Sequence, residues 1–267
     1  MTICISAIGK EKGSEFIVFS TDHMVSVPLG QFEQVIEKFK IINPNTIAMF
    51  SGNALLFQKI INNLDANVQS LEYNDVLDKA HKKMKALRFE IFEKEILGLY
   101  GIDFNYIRDV LNKPVPNQFV DNILKALSTF NLQSSLMLIG FQNANAQISI
   151  LDEFRGYNFR DMNFGSIGSG QPQASNTLMF QKHSKNETLT TTLYNVYKAK
   201  RNAEVSVGVG RETDLYVFFD GGKLIKVDDS QLSVLNDVYQ KELIYGKSNK
   251  SVNSLAVDIY GKRKGTT

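Results

Sequence analysis

The chain has 267 residues, 43% of them hydrophobic and 22% charged, with a net charge of +2. That length supports one large domain or two small ones with a substantial core, and the small net charge excludes an electrostatic case for nucleic acid or membrane as the main partner. A single cysteine, Cys4, excludes an internal disulfide and a cysteine-based metal site.

The chain opens with strands. Ile3, Ile5 and Ala7 alternate with Thr2, Cys4 and Ser6, the period-two pattern of a half-buried strand. A polar stretch with Gly13 suits a hairpin, and Phe16 to Ser20 is a continuous apolar run, as in a strand covered on both faces. Phe39 to Ile42 and Thr46 to Phe50 flank the turn signal Asn43-Pro44-Asn45. Helical spacing follows: Leu55, Leu56, Ile60, Ile61 and Leu64 share one face, and Val76 to Ile96 continues as a long helix ending near Gly98. Tyr100 to Asn117 is irregular, with Pro114 and Pro116 as breakers, and Phe119 to Leu127 reads as a short helix.

Leu136 to Phe141 and Ile148 to Leu151 read as strands around an Asn-rich turn. Gly165 to Gly170 reads as a glycine-serine turn, followed by helices near Ala174 to Gln181 and Thr188 to Lys200. Val205 to Val209, Leu215 to Phe219 and Leu224 to Val227 read as strands, the last two joined by Asp220-Gly221-Gly222, and Leu232 to Leu243 is the last helix.

Strands and helices come in blocks, which argues against a doubly wound parallel sheet and for two antiparallel sheets packed face to face with helices outside both. The expectation is a single α+β domain over 1–245 with an enlarged helical region at about 95–131, then a polar, basic tail over 246–267. Lys262, Arg263 and Lys264 read as part of that solvated tail. No run approaches the roughly 20 apolar residues of a membrane span, and the first strand is too short for a signal-peptide core, so a soluble cytoplasmic protein is expected.

Four places together resemble a proteasome β-type subunit or its bacterial peptidase relatives. They are Thr2-Ile3-Cys4-Ile5 with Phe19-Ser20-Thr21-Asp22; Glu37-Lys38-Phe39-Lys40-Ile41 with Met49-Phe50-Ser51-Gly52; Leu138 to Phe141 with Gly165 to Gly170; and Val205 to Gly208 with Thr213 to Phe219. The resemblance spans roughly residues 2 to 227 and implies the N-terminal-nucleophile hydrolase fold, a four-layer αββα sandwich. The stretch from about Glu95 to Asn131 has no counterpart in it.

The resemblance implies peptide-bond hydrolysis by Thr2 after removal of Met1. A threonine hydroxyl is a weak nucleophile and needs a base; a free α-amine, with a pKa of about 7.7–8.0, suits that task. Asp22 would orient a lysine beside the hydroxyl. Lys38 is the preferred lysine, with Lys40 open as well, since strand alternation puts both on one face; a by-eye alignment puts Glu37 there instead. Gly52 would supply an oxyanion amide or simply start a helix. Ser169 would contact the threonine amine or cap the helix beginning near Gln171. The family has an aspartate, then two residues, then serine and glycine before the late strand. Here Glu204 takes the acid's place and the serine is shifted to Ser206 or replaced by Val207.

The implied partners are a peptide or protein substrate, further copies of the chain in a ring or spiral, and an ATP-dependent unfoldase by family analogy. No cofactor is implied. His23, His81 and His183 have no metal-ligand spacing, and Gly208-Val209-Gly210 is not a phosphate loop. Two other readings stand beside the hydrolase: a catalytically silent structural or binding subunit, and an acyltransferase delivering to an amine.

Overall fold

The computed structural model describes residues 2–27, 30–33, 37–62, 68, 70–113 and 117–247. Met1, Leu64, Pro114, Pro116 and the tail from 248 onward lie outside the described residues. Two compact units are present, Met1–Lys226 and Val227–Thr267. The second contains one described helix, Asp229–Lys247.

The first unit is α+β. It opens with β1 (Ile3–Glu11), β2 (Ser14–Asp22), β3 (Met24–Val27), β4 (Gly30–Glu33), β5 (Phe39–Asn43) and β6 (Thr46–Ser51). Helices α1 (Ala54–Asn62) and α2 (Tyr73–Glu95) follow, then a 3-10 turn (Leu97–Tyr100), α3 (Phe104–Leu111) and α4 (Gln118–Thr129). The second half runs β7 (Ser135–Gln142), β8 (Asn145–Leu151), β9 (Gly156–Asn158), β10 (Phe164–Gly168), α5 (Gln171–Phe180), α6 (Leu189–Ala203), β11 (Thr213–Phe219) and β12 (Leu224–Lys226).

Among the described residues the strands form two five-stranded antiparallel sheets, in the orders β10-β1-β2-β11-β12 and β5-β6-β7-β8-β9, and a separate ribbon β3-β4. The β1–β2 hairpin turns at Lys12-Gly13 and the β7–β8 hairpin at Asn143-Ala144. Both residues of each pair have positive φ, the two-residue turn whose twist matches the strands it joins.

Both sheets contribute to one apolar cluster, with Cys4, Ile17, Phe19 and Tyr216 from the first and Met49, Met137 and Ile139 from the second. Within it, the Phe19 ring lies 5.3 Å from Phe39 and 5.0 Å from Tyr216, pairs worth about 0.5–1.5 kcal/mol each beyond the area they bury. A second cluster joins α1 and α2 to β6 and β7, with the buried Tyr73 hydroxyl donating to the Leu138 carbonyl at 3.0 Å. Helices α5 and α6 pack against β10, β1 and β2. The end of α2, the 3-10 turn, α3 and α4 build a third cluster around Phe92, Leu97, Ile107, Val120 and Ile123. Arg88 ties α4 to it, donating from Nε to the Phe130 carbonyl at 2.9 Å and from Nη2 to the Leu127 carbonyl.

Two expectations are corrected. Val205 to Val209 is not a strand but a loop, in which Val205 and Val207 are 78% and 76% exposed. Gly165 to Gly170 is not a turn throughout: residues 164–168 are the edge strand β10, paired with β1, and the chain turns only at Ser169-Gly170. A Cβ on Gly165 would stand 3.0 Å from Ile148, so the glycine serves close packing of strand on strand. The irregular stretch after Tyr100 contains α3, capped by Asp103, whose carboxylate accepts from the Tyr106 amide.

Candidate active site

Thr2 stands just before β1 and is 4% exposed; Asp22 ends the neighbouring strand β2 and is fully buried. The Thr2 hydroxyl donates to Asp22 Oδ1 at 2.5 Å. Lys38 lies just before β5, and its ammonium donates to Thr2 Oγ1 at 2.5 Å, Asp22 Oδ1 at 2.5 Å and the Met24 carbonyl at 2.6 Å. All three N–H bonds of that cation are satisfied, which fixes its position. The Lys38–Asp22 ion pair is 11% and 0% exposed on its two side chains, so solvent screens it weakly. Lys40, one strand period further on, is exposed, and Glu37 is exposed as well.

Asp22 is oriented by two backbone amides. Ile3 N–H donates to Oδ1 at 3.2 Å, and Gly210 N–H to Oδ2 at 2.7 Å. The Gly210 contact has no signal in the sequence, because a backbone donor carries no residue type. It comes from β11 pairing with β2, where Thr213 lies opposite Asp22.

Ser169 donates to the Thr2 carbonyl at 3.4 Å, a long contact. It does not cap α5: the capping position is Gly170, and no side chain fills it. Gly168, with φ +105°, sits where a Cβ would come 2.1 Å from the Thr2 carbonyl oxygen, so the approach of β10 to Thr2 requires glycine. Gly52 also has positive φ, +114°, and its missing side chain makes room for Gln133 and Ser134. It follows the end of β6, where the Phe50 amide donates to the Lys38 carbonyl.

Glu204 is not brought to Thr2. It ends α6, where its carboxylate accepts from Lys200 at 2.7 Å and Arg201 at 3.1 Å. The Ser206 hydroxyl is buried without a hydrogen-bond partner among the described residues. In the sequence Lys200 reads only as the end of a helix; its one signal is a place on the apolar face of α6 with Val196, Ala199 and Ala203. Cys4 is a core thiol 3.6 Å from the Phe50 carbonyl, and burial pushes its pKa up to about 12, so it stays neutral beside the cluster. His23 pairs with Asp214 at 2.6 Å. Among the described residues, no group of three or more His, Cys, Asp or Glu could hold a metal ion, and no helix is long and apolar enough to cross a membrane.

No protein-family model matches the sequence, and no curated protein matches it. Solved structures do. An Anbu (Gly-1) mutant from Hyphomicrobium sp. strain MC1 superposes with a TM-score of 0.60 at 12% identity, over 93% of this chain and 97% of that one. Anbu (ancestral beta-subunit) from Yersinia bercovieri matches with a TM-score of 0.60 at 11% identity and the same coverage. The fold is proteasome-like. At such identity the likeness concerns the backbone alone. Within this proteasome-like fold, Thr2, Asp22 and Lys38 meet at the Thr2 end of the first sheet.

Proposed function

We propose that the chain is an N-terminal threonine hydrolase of peptide or related amide bonds, built as a four-layer αββα sandwich. The observation that carries this is the Lys38 ammonium, 2.5 Å from Thr2 Oγ1 and locked there by Asp22 and the Met24 carbonyl. A cation at that distance favours the ionised hydroxyl and so lowers the proton affinity of the attacking oxygen. With Met1 removed, the Thr2 α-amine takes the hydroxyl proton as Oγ1 bonds to the substrate carbonyl carbon. The amine then returns the proton to the leaving nitrogen as the C–N bond breaks, and water hydrolyses the resulting ester. A base so placed contributes about 10²–10⁴-fold. The Gly52 amide is the proposed oxyanion donor, and Ser169 steadies the backbone of Thr2. Self-association into a ring or spiral, a cytoplasmic location and delivery of substrate by an ATP-dependent unfoldase belong to the same proposal.

A second reading, a catalytically silent subunit, is favoured by the placement of Glu204 on Lys200 and Arg201 and by the unpartnered Ser206 hydroxyl. Intact mass of untagged protein, followed by reaction with a peptidyl β-lactone, separates the two. The hydrolase reading expects loss of Met1 and one acyl adduct on Thr2 that is absent from Thr2→Ala. A retained Met1, or labelling that persists in Thr2→Ala, would favour the silent subunit.

A further inference from the structure

Behind Asp22 lies a second lysine. Lys200, on α6, is fully buried, and its ammonium donates to Glu204 Oε1 at 2.7 Å, the Gly210 carbonyl at 2.9 Å and the Arg211 carbonyl at 2.7 Å. Packing alone does not call for a charge here, since an apolar residue of similar volume is often as stable or more so. Burial pulls the Lys200 pKa below the ordinary lysine value, and the Glu204 and Asp22 carboxylates oppose that shift. Two of its three hydrogen bonds go to consecutive backbone carbonyls, and the first of those residues presents its own amide to Asp22 Oδ2 at 2.7 Å.

We propose that Lys200 is a positioning residue for the Thr2 site. Held by Glu204, it fastens the Gly210–Arg211 backbone so that the Gly210 amide pins Oδ2 of Asp22 and leaves Oδ1 aimed at Thr2 and Lys38. The chain of contacts runs Glu204, Lys200, Gly210, Asp22, Thr2, with every link between 2.5 and 2.9 Å. A carboxylate turns easily about its last bond, whose torsion is broad and two-fold, so an anchor on one oxygen decides where the other points. The Glu204 position thus acts on the hydroxyl through three intermediates, without touching it. This role rests on the reading of Thr2 as nucleophile.

The test uses the full chain with Lys200→Met and Glu204→Gln together, which avoids leaving either charge buried alone. Two quantities are read: acylation of Thr2 by the β-lactone, and hydrogen exchange of the Gly210 amide by nuclear magnetic resonance. The expected result is an acylation rate constant about 10-fold lower or more, with half-saturating lactone unchanged, and Gly210 exchange about 10-fold faster. Unchanged Gly210 exchange overturns the proposal whatever the acylation rate, and faster exchange with acylation within twofold of the parent overturns it too. If the parent protein itself is not acylated, the nucleophile reading fails, and Gly210 exchange alone then decides whether Lys200 sets the Asp22 anchor. Should the double variant lose its near-ultraviolet circular dichroism, Glu204→Gln alone loosens Lys200 and is held to the same two readouts, each moving in the same direction by less.

Discussion

Asp22→Ala is the substitution that probes the cluster as a structural unit. The carboxylate is fully buried and accepts from Thr2 Oγ1, Ile3 N–H, Lys38 Nζ and Gly210 N–H. Its removal leaves a cation, the Thr2 hydroxyl and two backbone amides without this acceptor. Breaking a buried ion pair by deleting one partner costs about 3–5 kcal/mol, and each buried donor left unmade about 1–3 kcal/mol. Lys38 is 11% exposed and keeps the Met24 carbonyl, so the lower end applies to the pair. The hydroxyl and amide losses overlap with it, because one cavity and the water it admits would serve all four donors. The sum is about 3–5 kcal/mol, a large share of the roughly 5–15 kcal/mol that folded proteins possess. At about 2–4 °C per kcal/mol for a unit of this size, the melting temperature falls by roughly 6–20 °C. Urea unfolding followed by circular dichroism, with Thr2→Ala as reference, measures it. Thr2→Ala removes one hydroxyl while Lys38 keeps two partners, and it costs about 1 kcal/mol. If Asp22→Ala costs no more than Thr2→Ala, Asp22 does not hold the site together.

Two further substitutions probe the packing around Thr2 and the buried imidazole. Gly168→Ala places a methyl group 2.1 Å from the Thr2 carbonyl oxygen at a φ of +105°, and is expected to cost about 2–5 kcal/mol, whereas Gly13→Ala, with φ +89° and open space, costs only about 1–2 kcal/mol; equal losses on urea titration would contradict the close approach of β10. His183 is buried with Nε2 2.9 Å from the Ile8 carbonyl, and burial lowers its pKa below the ordinary 6.5, so the unfolded chain binds the proton more readily. Its contribution is therefore full above pH 6.5 and is lost as the pH falls from there through the folded-state pKa. His183→Gln should flatten that part of the stability–pH curve, and an unchanged slope would exclude His183 as its source.

The sequence made the sheets legible where apolar runs are long. Phe16 to Ser20, Thr46 to Phe50 and Leu136 to Phe141 lie within β2, β6 and β7, because strands covered on both faces carry little else. It failed where composition and burial part company. Val205 and Val207 alternate like a strand yet face solvent in the loop that Lys200 fastens, and the glycines of 165–168 signal a turn yet line a packed edge strand. Of the site, Thr2, Asp22 and Lys38 were in view, but alternation could not separate Lys38 from Lys40. The tie is broken by Lys38 standing one residue before β5, where its side chain reaches Asp22. Gly210 escaped because an amide has no letter, and Lys200 because a lysine in a helix reads as surface until the apolar residues one turn away are counted with it.

The anchoring of Asp22 from so far along the chain bears on synthesis. Thr2 and Lys38 are 36 positions apart, and the β1–β2 hairpin forms from neighbouring sequence, so both strands can pair soon after they leave the ribosome. The Gly210 amide is made 188 positions after Asp22, about 10–40 s later at roughly 5–20 residues per second. During that interval the carboxylate lacks the Gly210 amide for its second oxygen, and β2 lacks β11 beside it. Until the late strand is made, the chain holds the hydroxyl, the aspartate and the lysine but lacks the amide that receives the second oxygen of Asp22.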